Sequence, residues 1–404
     1  MEEQVFHDTD ITAEAIAADV AADCPVAEER PAAEETVLVS VIVPVYNAAP
    51  YLSQALDSLR KQTVTDIEII CVDDGSTDGC LDILKQHREA DARVRILTQS
   101  NAGPSRARNA GLRRARGEYV AFLDADDFAE PTWLQTLYTA AHADEVDIAV
   151  AGYDLYRDRI RRFTDAIPSE QADKWPCGRV VPRSDIPDVL FQATDGYAWN
   201  KLFRRAFLTE KELLFPEDIM MFEDTYFVAT ALSVADRLYK ASDILLHHRV
   251  YQEQARNRLF LKSYMQIVDV FVRLRAFLVS HGMYLPLRAT YANCSASRCY
   301  KIYNLLGAEE KRRFWNRLHE ATESLGWDVH TPGMVEDTDV AEFAANAEVY
   351  TYEQYFPRLL RGVKFRIERF TRSTRTAKRR KRVRRFFQGI FGRHGEDAED
   401  EVQD

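Results

Sequence analysis

Short apolar runs alternate with helix-length amphipathic segments between about residues 37 and 155. Each run is continuously hydrophobic, which is typical of a strand buried on both faces of a sheet. Five strands are predicted in this way: Val37–Tyr46, Ile67–Val72, Val94–Thr98, Tyr119–Leu123 and Asp147–Tyr153. Strands that alternate with helices form right-handed βαβ units. The pattern therefore predicts an α/β fold with a mostly parallel, Rossmann-like sheet.

Polar residues collect where three of these strands end. Tyr46–Asn47 lie at the end of the first strand, Asp73–Asp74 follow the second and Asp124–Asp127 follow the fourth. The carboxyl ends of parallel strands lie along one edge of a sheet, and open α/β folds bind ligands in the crevice there. The three polar groups are therefore predicted to converge on one site.

The acidic group after the fourth strand holds three carboxylates within four positions, at Asp124, Asp126 and Asp127. Carboxylates this close repel one another unless a cation lies between them. Their oxygen atoms suit a hard divalent ion such as Mg²⁺ or Mn²⁺, which can also hold phosphates. The alternative is a solvated acidic turn after a strand.

Four segments together resemble the family 2 glycosyltransferases of the A-type (GT-A) fold. They are Val41–Asn47 (VIVPVYN), Val72–Asp78 (VDDGSTD), Ala107–Gly111 (ARNAG) and Phe122–Asp127 (FLDADD). Their order and spacing both match the family over about residues 37–155. The resemblance implies a nucleotide-sugar donor, usually a UDP-sugar, lying across the strand ends.

The resemblance also implies roles for individual residues. Asp126 is the expected ligand of the metal that bridges the diphosphate, within a DXD motif. The donor-side residues that it implies are Pro44, Tyr46, Asn47, Asp73, Asp74, Arg108, Asn109, Asp124 and Ala125. A carboxylate at Asp73 or Asp74 could accept a hydrogen bond from the uracil N3–H. Asp74 and Asp78 could instead shape the turn and cap the following helix.

Two later segments are similar to the second half of the same family. They are Gly196–Arg205, which contains Trp199-Asn-Lys-Leu, and Phe222–Phe227, which contains Glu223-Asp224. The resemblance implies that Asp224 is the general base and that Glu223 lies on the acceptor side. An acid in a first helical turn is also favoured by the helix dipole alone. Glu217–Asp218 is a rival pair six residues earlier.

Trp199 and His248, which lies in the segment Leu245–Val250, have two interpretations each. Trp199 could offer an acceptor sugar a stacking face, or could be part of the core. Leu245–Val250 departs from the family pattern by placing Leu246, His247 and His248 where aromatic residues are usual. His248 could complete the metal shell or could be a structural histidine, and Arg249 could pair with phosphate.

The chain is expected to divide into four parts. Residues 1–36 form an acidic leader, residues 37–255 the catalytic domain, residues 256–356 a helical C-terminal domain and residues 357–404 a basic tail with an acidic end. Residues 154–195 are irregular and polar, so they are predicted to be a loose connection that contacts substrate. From about Leu259 apolar residues recur at helix spacing and predict core positions.

The formal net charge of −11 conceals strong segregation of charge. Residues 1–36 hold eleven Asp and Glu residues and one basic residue, Arg30, with little to bury, which predicts disorder. Residues 357–394 hold fifteen Lys and Arg residues and one acid, Glu368. An averaged charge therefore says little about the partners of this protein.

The basic tail has the pattern of an amphipathic helix followed by a polybasic run. Four apolar residues recur at helix spacing: Leu359, Val363, Ile367 and Phe370. Lys378–Arg385 (KRRKRVRR) then leads into the aromatic segment Phe386–Phe391. This pattern predicts binding to an anionic membrane surface, or a solvated tail that folds back on the acidic leader. Nucleic acid is not a predicted partner, because no recognised binding fold accompanies the run.

Cysteine spacing and hydropathy bear on the compartment. The six cysteines include no CxxC pair and no neighbouring histidines at zinc spacing, which indicates reduced thiols. The sequence has no signal-peptide pattern, and no apolar run approaches the roughly 20 residues that cross a bilayer. We therefore expect a cytoplasmic protein that is peripheral on the cytosolic face of a membrane.

Together these features predict a metal-dependent, inverting glycosyltransferase of cell-surface polysaccharide or glycoconjugate synthesis. Its acceptor would be a glycan or a lipid-linked sugar. A nucleotidyltransferase also combines a βαβ sheet with acidic metal ligands, but the Trp199 and Glu223–Asp224 segments argue against it. A catalytically inactive, membrane-associated glycan-binding module is the alternative outside enzymes, and the intact acids at 124, 126 and 224 argue against that.

Overall fold

The computed structural model describes residues 36–166, 171–250, 260–328, 331 and 334–356. The predicted leader, apart from Thr36, and the predicted basic tail lie outside these residues. The chain forms two compact units. Of the described residues, the first unit contains those from Thr36 to Gln266 together with Ser280–Pro286, and the second contains Ile267–Val279 and those from Leu287 to Phe356. The domain boundaries given above stay predictions.

The described residues contain ten strands and ten α-helices. The strands are β1 (Val39–Val45), β2 (Ile67–Asp73), β3 (Val94–Thr98), β4 (Tyr119–Phe122), β5 (Phe128–Ala129), β6 (Ile148–Arg157), β7 (Arg162–Asp165), β8 (Val180–Pro182), β9 (Lys201–Arg204) and β10 (Arg237–Val250). The helices are α1 (Ala49–Arg60), α2 (Cys80–Ala90), α3 (Pro104–Arg114), α4 (Trp133–Ala143), α5 (Arg205–Glu210), α6 (Glu223–Val234), α7 (Gln266–Ser280), α8 (Tyr284–Leu305), α9 (Ala308–Leu325) and α10 (Thr338–Val349).

All ten strands join one sheet in the first unit. Its order is β3-β2-β1-β4-β9-β6-β10-β5, with β7 paired to β6 and β8 paired to β10. Strands β3, β2, β1 and β4 are parallel neighbours, as are β6 and β10. Only the short β9 lies between these two groups, antiparallel to both β4 and β6. The predicted α/β fold with a mostly parallel central sheet is therefore confirmed.

The predicted strands are buried because helices cover the sheet. Every residue of β2 and β4 is buried, and so are six of the seven residues of β1. Helix α3 approaches β1 so closely that a Cβ atom at Gly111 would lie 2.5 Å from Ile42 Cγ2. A glycine is therefore needed there for helix and strand to pack at this distance.

The segment predicted as a loose connection is more ordered than its composition indicates. Strand β6 does not end at Tyr153 but continues to Arg157, where it turns back and pairs with β7 as a hairpin. Strand β8 pairs with the start of β10. These elements were not predicted because short strands at a sheet edge can form without a continuous apolar run, and their polar side chains look like those of a loop.

The second unit is built from helices, which confirms the predicted helical C-terminal region. Its apolar positions are core, as expected: Phe271 and Leu274 of α7 are at most 1% exposed. Two buried hydrogen bonds fix its aromatic residues, from Tyr291 Oη to the Phe271 carbonyl oxygen and from Trp327 Nε1 to Ser295 Oγ. Among the described residues, no helix combines the length and the apolar character that crossing a membrane requires.

A buried carboxylate ties three strands and the loop before β4 together at the amino end of the sheet. Glu68 of β2 accepts hydrogen bonds from Ser40 Oγ (2.7 Å), the Arg116 backbone N–H (2.7 Å) and Arg95 Nη1 (2.5 Å). Burial alone would raise the pKa of Glu68, but these donors outweigh it and the pKa is lowered. The charged form of Glu68 is therefore stabilised by the fold.

We expect Glu68→Gln to lower the free energy of unfolding by about 1–3 kcal/mol at neutral pH, because a buried donor loses its charged acceptor. A pKa lowered by folding stabilises the protein above the acidic range, and this contribution is lost as the pH falls. The stability curves of the wild type and the variant, measured by urea denaturation, should therefore converge at low pH. The exposed Glu89→Gln is the control, and a pH-independent difference for Glu68→Gln would contradict the assignment.

Candidate active site

The polar ends of β1, β2 and β4 do meet at one edge of the sheet. The Asp74 N–H donates to the Val45 carbonyl oxygen on the β2 side, and the Leu123 N–H donates to the Ile42 carbonyl oxygen on the β4 side. Backbone groups point alternately to the two neighbouring strands, so the backbone nitrogen of Pro44 points toward β4, at a level where β4 has already ended. A residue without an N–H is tolerated there because no partner strand remains.

Asp124, Asp126 and Asp127 form a cluster after β4. One carboxylate oxygen from each lies within 4.8 Å of the others. Asp127 is 1% exposed and accepts hydrogen bonds from the Arg249 N–H (2.8 Å) and from His248 Nδ1 (3.0 Å). No side chain among the described residues donates a hydrogen bond to the carboxylate of Asp126. Of the three, Asp126 is therefore the carboxylate that the protein leaves for a ligand.

The cluster is under electrostatic strain. Burial and the negative charges of Asp127 and Asp124 raise the pKa of Asp126 to about 7. Burial also raises the pKa of Asp127, although His248 works in the opposite direction. A divalent cation would remove both causes, since it replaces lost water as a ligand and neutralises the repulsion. The donor set therefore fits Mn²⁺ or Mg²⁺.

A buried arginine connects this cluster to the start of α6. Arg108 of α3 donates from Nη2 to Asp124 Oδ1 (2.9 Å) and from Nη1 to Glu223 Oε1 (2.9 Å), and Nη1 also lies 3.2 Å from Asp224 Oδ1. Its side chain is 6% exposed. Burial by itself lowers the pKa of Arg108, but the three carboxylates outweigh it and the pKa is raised. Arg108 therefore contacts the acidic pair as well as the acidic cluster.

Asp224 is held in place but is not fully satisfied. Its Oδ2 accepts a hydrogen bond from the Ala198 N–H at 3.3 Å. Its Oδ1 accepts no hydrogen bond of good geometry, although Arg108 forms an ion pair with it. Burial raises the pKa of Asp224 to about 7, with Glu223 and Asp124 adding to the shift and Arg108 opposing it. A carboxylate with this pKa, one oxygen of which accepts no hydrogen bond of good geometry, is suited to accept a proton.

The rival pair Glu217–Asp218 is less suited to that role, because Glu217 is anchored. Glu217 accepts hydrogen bonds from Asn109 Nδ2 (3.1 Å) and Arg106 Nε (3.0 Å). Asn109 also forms two hydrogen bonds with the backbone of Phe215, at 2.9 Å each. Asn109 therefore fixes residues 215–217 within the protein, and its predicted contact with a nucleotide stays a prediction.

The two aspartates on the predicted nucleotide side differ in how many hydrogen bonds they accept within the protein. Asp74 is 2% exposed and accepts from Gln99 Nε2, the Ala102 N–H and the Gly103 N–H at 2.8–2.9 Å. Its carboxylate organises the loop before α3, whereas the alternative considered above placed it in the turn and the helix that directly follow it; there it is Asp78 that accepts from the Cys80 N–H, at 3.1 Å. Asp73 accepts only from the Ser76 N–H, at 3.3 Å, among the described residues. Asp73 is therefore the better candidate of the two for a ligand.

Tyr46 and Asn47 lie at the rim of the same crevice. Tyr46 is 51% exposed, so its ring is free to meet a ligand. Asn47 has a φ of 49° and accepts a hydrogen bond from the Thr77 N–H at 2.9 Å. This bond connects the loop after β1 to the loop after β2. Ala125 is 6% exposed and lies between the two aspartates that flank it in the cluster.

The expected stacking role of Trp199 does not agree with its burial. Trp199 is 2% exposed and packs in the core, so its ring offers no face to an acceptor. One face is covered by Tyr197 (ring centroids 5.3 Å apart) and the ring of His248 also stacks on it, at 5.3 Å. Tyr197, which is 38% exposed, is the accessible aromatic residue of this stack. The position of Tyr197, two residues before Trp199, is the feature of the sequence that could have marked it as the accessible aromatic residue.

The two histidines and Arg249 are engaged within the protein. His247 lies between Asp154 (2.6 Å from Nδ1) and Glu130 (2.9 Å from Nε2). The guanidinium of Arg249 pairs with Asp158 and donates to the Asp126 carbonyl oxygen (2.7 Å). Arg249 is therefore engaged within the protein, and its suggested pairing with phosphate stays a prediction. His248 contacts Asp127 through Nδ1, and its predicted role as a metal ligand stays a prediction.

Comparison with known families supports the resemblance seen in the sequence. The model of the family described as Glycosyl transferase family 2 matches residues 40–208. EpsJ of Bacillus subtilis (strain 168) is 36% identical over 216 residues, which are 52% of this chain and 61% of EpsJ. EpsH of the same organism is 32% identical over 247 residues, which are 60% of this chain and 70% of EpsH. Both relatives are named as glycosyltransferases.

A solved structure shares the fold. Residues 1–349 of TarS from S. aureus, in complex with UDP-GlcNAc, superpose with a TM-score of 0.62 at 22% identity. The match covers 77% of this chain and 87% of that chain. At this identity the likeness establishes the fold, and it agrees with the predicted GT-A arrangement.

The strain in the acidic cluster leads to a prediction about stability. Asp126→Asn removes a charge whose pKa is raised by folding, so it should increase the free energy of unfolding by on the order of 1 kcal/mol without metal. Mn²⁺ should raise the thermal midpoint of the wild type but not of the variant. Differential scanning fluorimetry with EDTA or with Mn²⁺ measures both effects. Destabilisation by Asp126→Asn, or an equal Mn²⁺ shift in both proteins, would contradict this account.

Proposed function

Because the chain belongs to family 2 of the glycosyl transferases, we propose that it transfers a sugar from a nucleotide-sugar to a glycan or a lipid-linked acceptor. One observation carries the proposal. A buried arginine, Arg108, contacts both a three-carboxylate cluster and a separate carboxylate, Asp224, with a pKa raised to about 7. Such an arrangement offers an anion-binding metal site beside a proton acceptor.

We propose a UDP-sugar as the donor. The supporting facts are the exposed Tyr46, the lightly engaged Asp73 and the likeness to TarS, whose structure contains UDP-GlcNAc. Tyr46, Asn47 and Asp73 would contact the base and ribose. Asp126, with Asp124 beside it, would hold Mn²⁺ or Mg²⁺. That ion, when bound, would neutralise the diphosphate leaving group.

The proposed chemistry is a single displacement. Asp224 accepts the proton of an acceptor hydroxyl as its oxygen attacks the anomeric carbon. The bond between that carbon and the diphosphate oxygen breaks at the same time, and its electron pair leaves with the diphosphate. One displacement inverts the anomeric configuration without a covalent intermediate. General-base assistance of this kind contributes roughly 10²–10⁴ in rate.

Arg108 would serve the reaction by fixing distances. It contacts Asp124 on the metal side, and Glu223 and Asp224 on the acceptor side. Holding the proton acceptor close to the leaving-group site lets both bonds change together. Glu223 would contribute by orienting Arg108, because its Oε1 is one of the acceptors that hold the guanidinium.

We further propose that the protein works at the cytosolic face of a membrane. The fifteen basic residues of the segment 357–394 and its aromatic end are the support for this localisation. Each basic side chain near an anionic surface contributes about 1 kcal/mol. An acceptor anchored in the bilayer would be concentrated near an enzyme held in this way.

Substitution of the proposed base gives the sharpest test of the chemistry. Asp224→Asn should lower kcat by roughly 10²–10⁴ and leave the KM for the donor nearly unchanged, since the residue acts on the acceptor proton. Asp218→Asn, in the rival pair, is the matched control and should stay within a few-fold of the wild type. UDP release from a UDP-sugar in the presence of acceptor measures both. A larger loss for Asp218→Asn than for Asp224→Asn would overturn the assignment.

The raised pKa of Asp224 predicts the pH dependence of the wild-type enzyme. A base must be deprotonated, so kcat/KM should rise as the pH increases through about 7 and level off above it. The measurement is a pH–rate profile at saturating Mn²⁺. A rate that is independent of pH between 5.5 and 8.5 would show that Asp224 is not the titrating base.

Neutralising the basic tail should weaken membrane binding. Changing Lys378, Arg379, Arg380 and Lys381 to Ser should lower partition onto vesicles that contain phosphatidylglycerol by at least about tenfold, because four attractive charges are lost. Co-sedimentation at physiological ionic strength measures this, with pure phosphatidylcholine vesicles as the control. Unchanged partition would favour a tail that binds elsewhere.

A further inference from the structure

An arginine-rich turn joins β6 and β7. Its seven residues, Arg157–Phe163 (RDRIRRF), are called the arginine tip here. All of them except Asp158 are exposed, including Ile160 (56%) and Phe163 (54%). Four of the seven are arginines, and no carboxylate among the described residues pairs with any of them. The tip therefore presents four uncompensated positive charges around an exposed apolar side chain.

The single acid of the tip does not offset this charge. Asp158 pairs with Arg249, whose own side chain is 3% exposed. The negative charge is thus used to neutralise a buried arginine of β10, which lies beside Tyr156 of β6. Asp158 also secures the hairpin to the site, because Arg249 Nε donates to the carbonyl oxygen of Asp126.

Two features of the hairpin are unfavourable for the isolated protein. Arg157 and Arg162 lie directly opposite each other in the β6–β7 ladder, and like charges at such positions repel. Arg161 has a φ of 46°, in the left-handed region where glycine is favoured. An anionic surface would offset the repulsion between Arg157 and Arg162. It would also bind the side chain of Arg161, which a glycine at this position would not offer.

The tip lies at the edge of the sheet that carries the acidic cluster. Strand β6 is parallel to β10, and both are directed like β4, because the intervening β9 is antiparallel to β4 and β6. The carboxyl end of β6 therefore extends from the same edge as Asp124–Asp127. Whatever the tip binds is brought close to the proposed acceptor side.

We propose that the arginine tip docks the catalytic unit on an anionic lipid surface, with Ile160 entering the headgroup region and the arginines contacting lipid phosphates. Charge complementarity selects an anionic partner. The exposed apolar side chain at the centre of the arginines selects a lipid interface over a soluble polyanion, which has no apolar layer to receive it. This surface is separate from the basic tail, and its action does not depend on the sugar that is transferred.

The test compares full-length variants on vesicles of phosphatidylcholine and phosphatidylglycerol at a ratio of 7:3 and physiological ionic strength. The variants are Arg159→Ser/Arg161→Gly, which removes two charges, and Ile160→Ser, which removes the apolar contact. The control Arg88→Ser/Arg113→Ser removes two charges from exposed positions near the ends of α2 and α3. Helices that follow parallel strands return to the amino edge, so these two arginines lie opposite the tip.

Each protein is measured with the natural tail and with the four-serine tail described above, so that tail binding does not mask the tip. We expect partition to fall by about tenfold or more for the double arginine variant, severalfold for Ile160→Ser and less than twofold for the control. Arg161→Gly relieves the left-handed arginine, so the thermal midpoint of the double variant should stay equal or rise. Weaker membrane binding by a protein of equal or greater stability excludes an effect through misfolding.

Three results would overturn the proposal. The first is partition of the tip variants equal to that of the wild type with both tails, and the second is no partition of the wild type at all. The third is an arginine variant that loses binding to soluble polyphosphate as strongly as to vesicles, with no effect of Ile160→Ser, which would assign the tip to a soluble polyanion. UDP release with a soluble acceptor should be unchanged in the tip variants, so this test and that of the proposed chemistry can fail separately.

Discussion

The crowding of like charges at one edge of the sheet is the constraint on which the site depends. Parallel strands bring Asp124, Asp126 and Asp127 to the edge where α6 presents Glu223 and Asp224. Two buried arginines keep this arrangement together. Arg108 contacts Asp124, Glu223 and Asp224, and Arg249 contacts Asp127 and the Asp126 backbone. The compensation is incomplete, and the pKa values of Asp126 and Asp224 remain raised to about 7.

This incomplete compensation separates the site from the scaffold. At the opposite edge, the buried Glu68 is fully supplied with donors and its pKa is lowered. In the acidic cluster, Asp124 and Asp127 have donors of this kind, but no side chain among the described residues donates to Asp126, which is left for a ligand. Stability given up at functional residues is commonly recovered in the surrounding fold. The contrast between Glu68 and Asp126 shows both sides of this balance within one sheet.

The sequence predicted much of the fold but less of the site. Strands β1–β4 and β6 were found because parallel strands buried on both faces are continuously apolar, and the convergence of their polar ends followed from topology. Strand β9 was not predicted because four residues are too few to show a hydrophobic periodicity. The arginine tip was not predicted because a hairpin at the sheet edge carries polar side chains. Neither Asp74 nor Asn109 could be recognised as an internal anchor, since a hydrogen-bond partner distant in sequence leaves no local signal. The burial of Trp199 beneath Tyr197 likewise depends on the tertiary stack.

The central claim is that the acidic cluster binds a nucleotide diphosphate through a metal. The most direct test is isothermal titration calorimetry of UDP into the full-length protein with Mn²⁺ and with EDTA, for the wild type and Asp126→Asn. The account predicts binding by the wild type with Mn²⁺, and binding at least about tenfold weaker with EDTA or in the variant. Equal affinity under all these conditions, or no UDP binding with Mn²⁺, would contradict it.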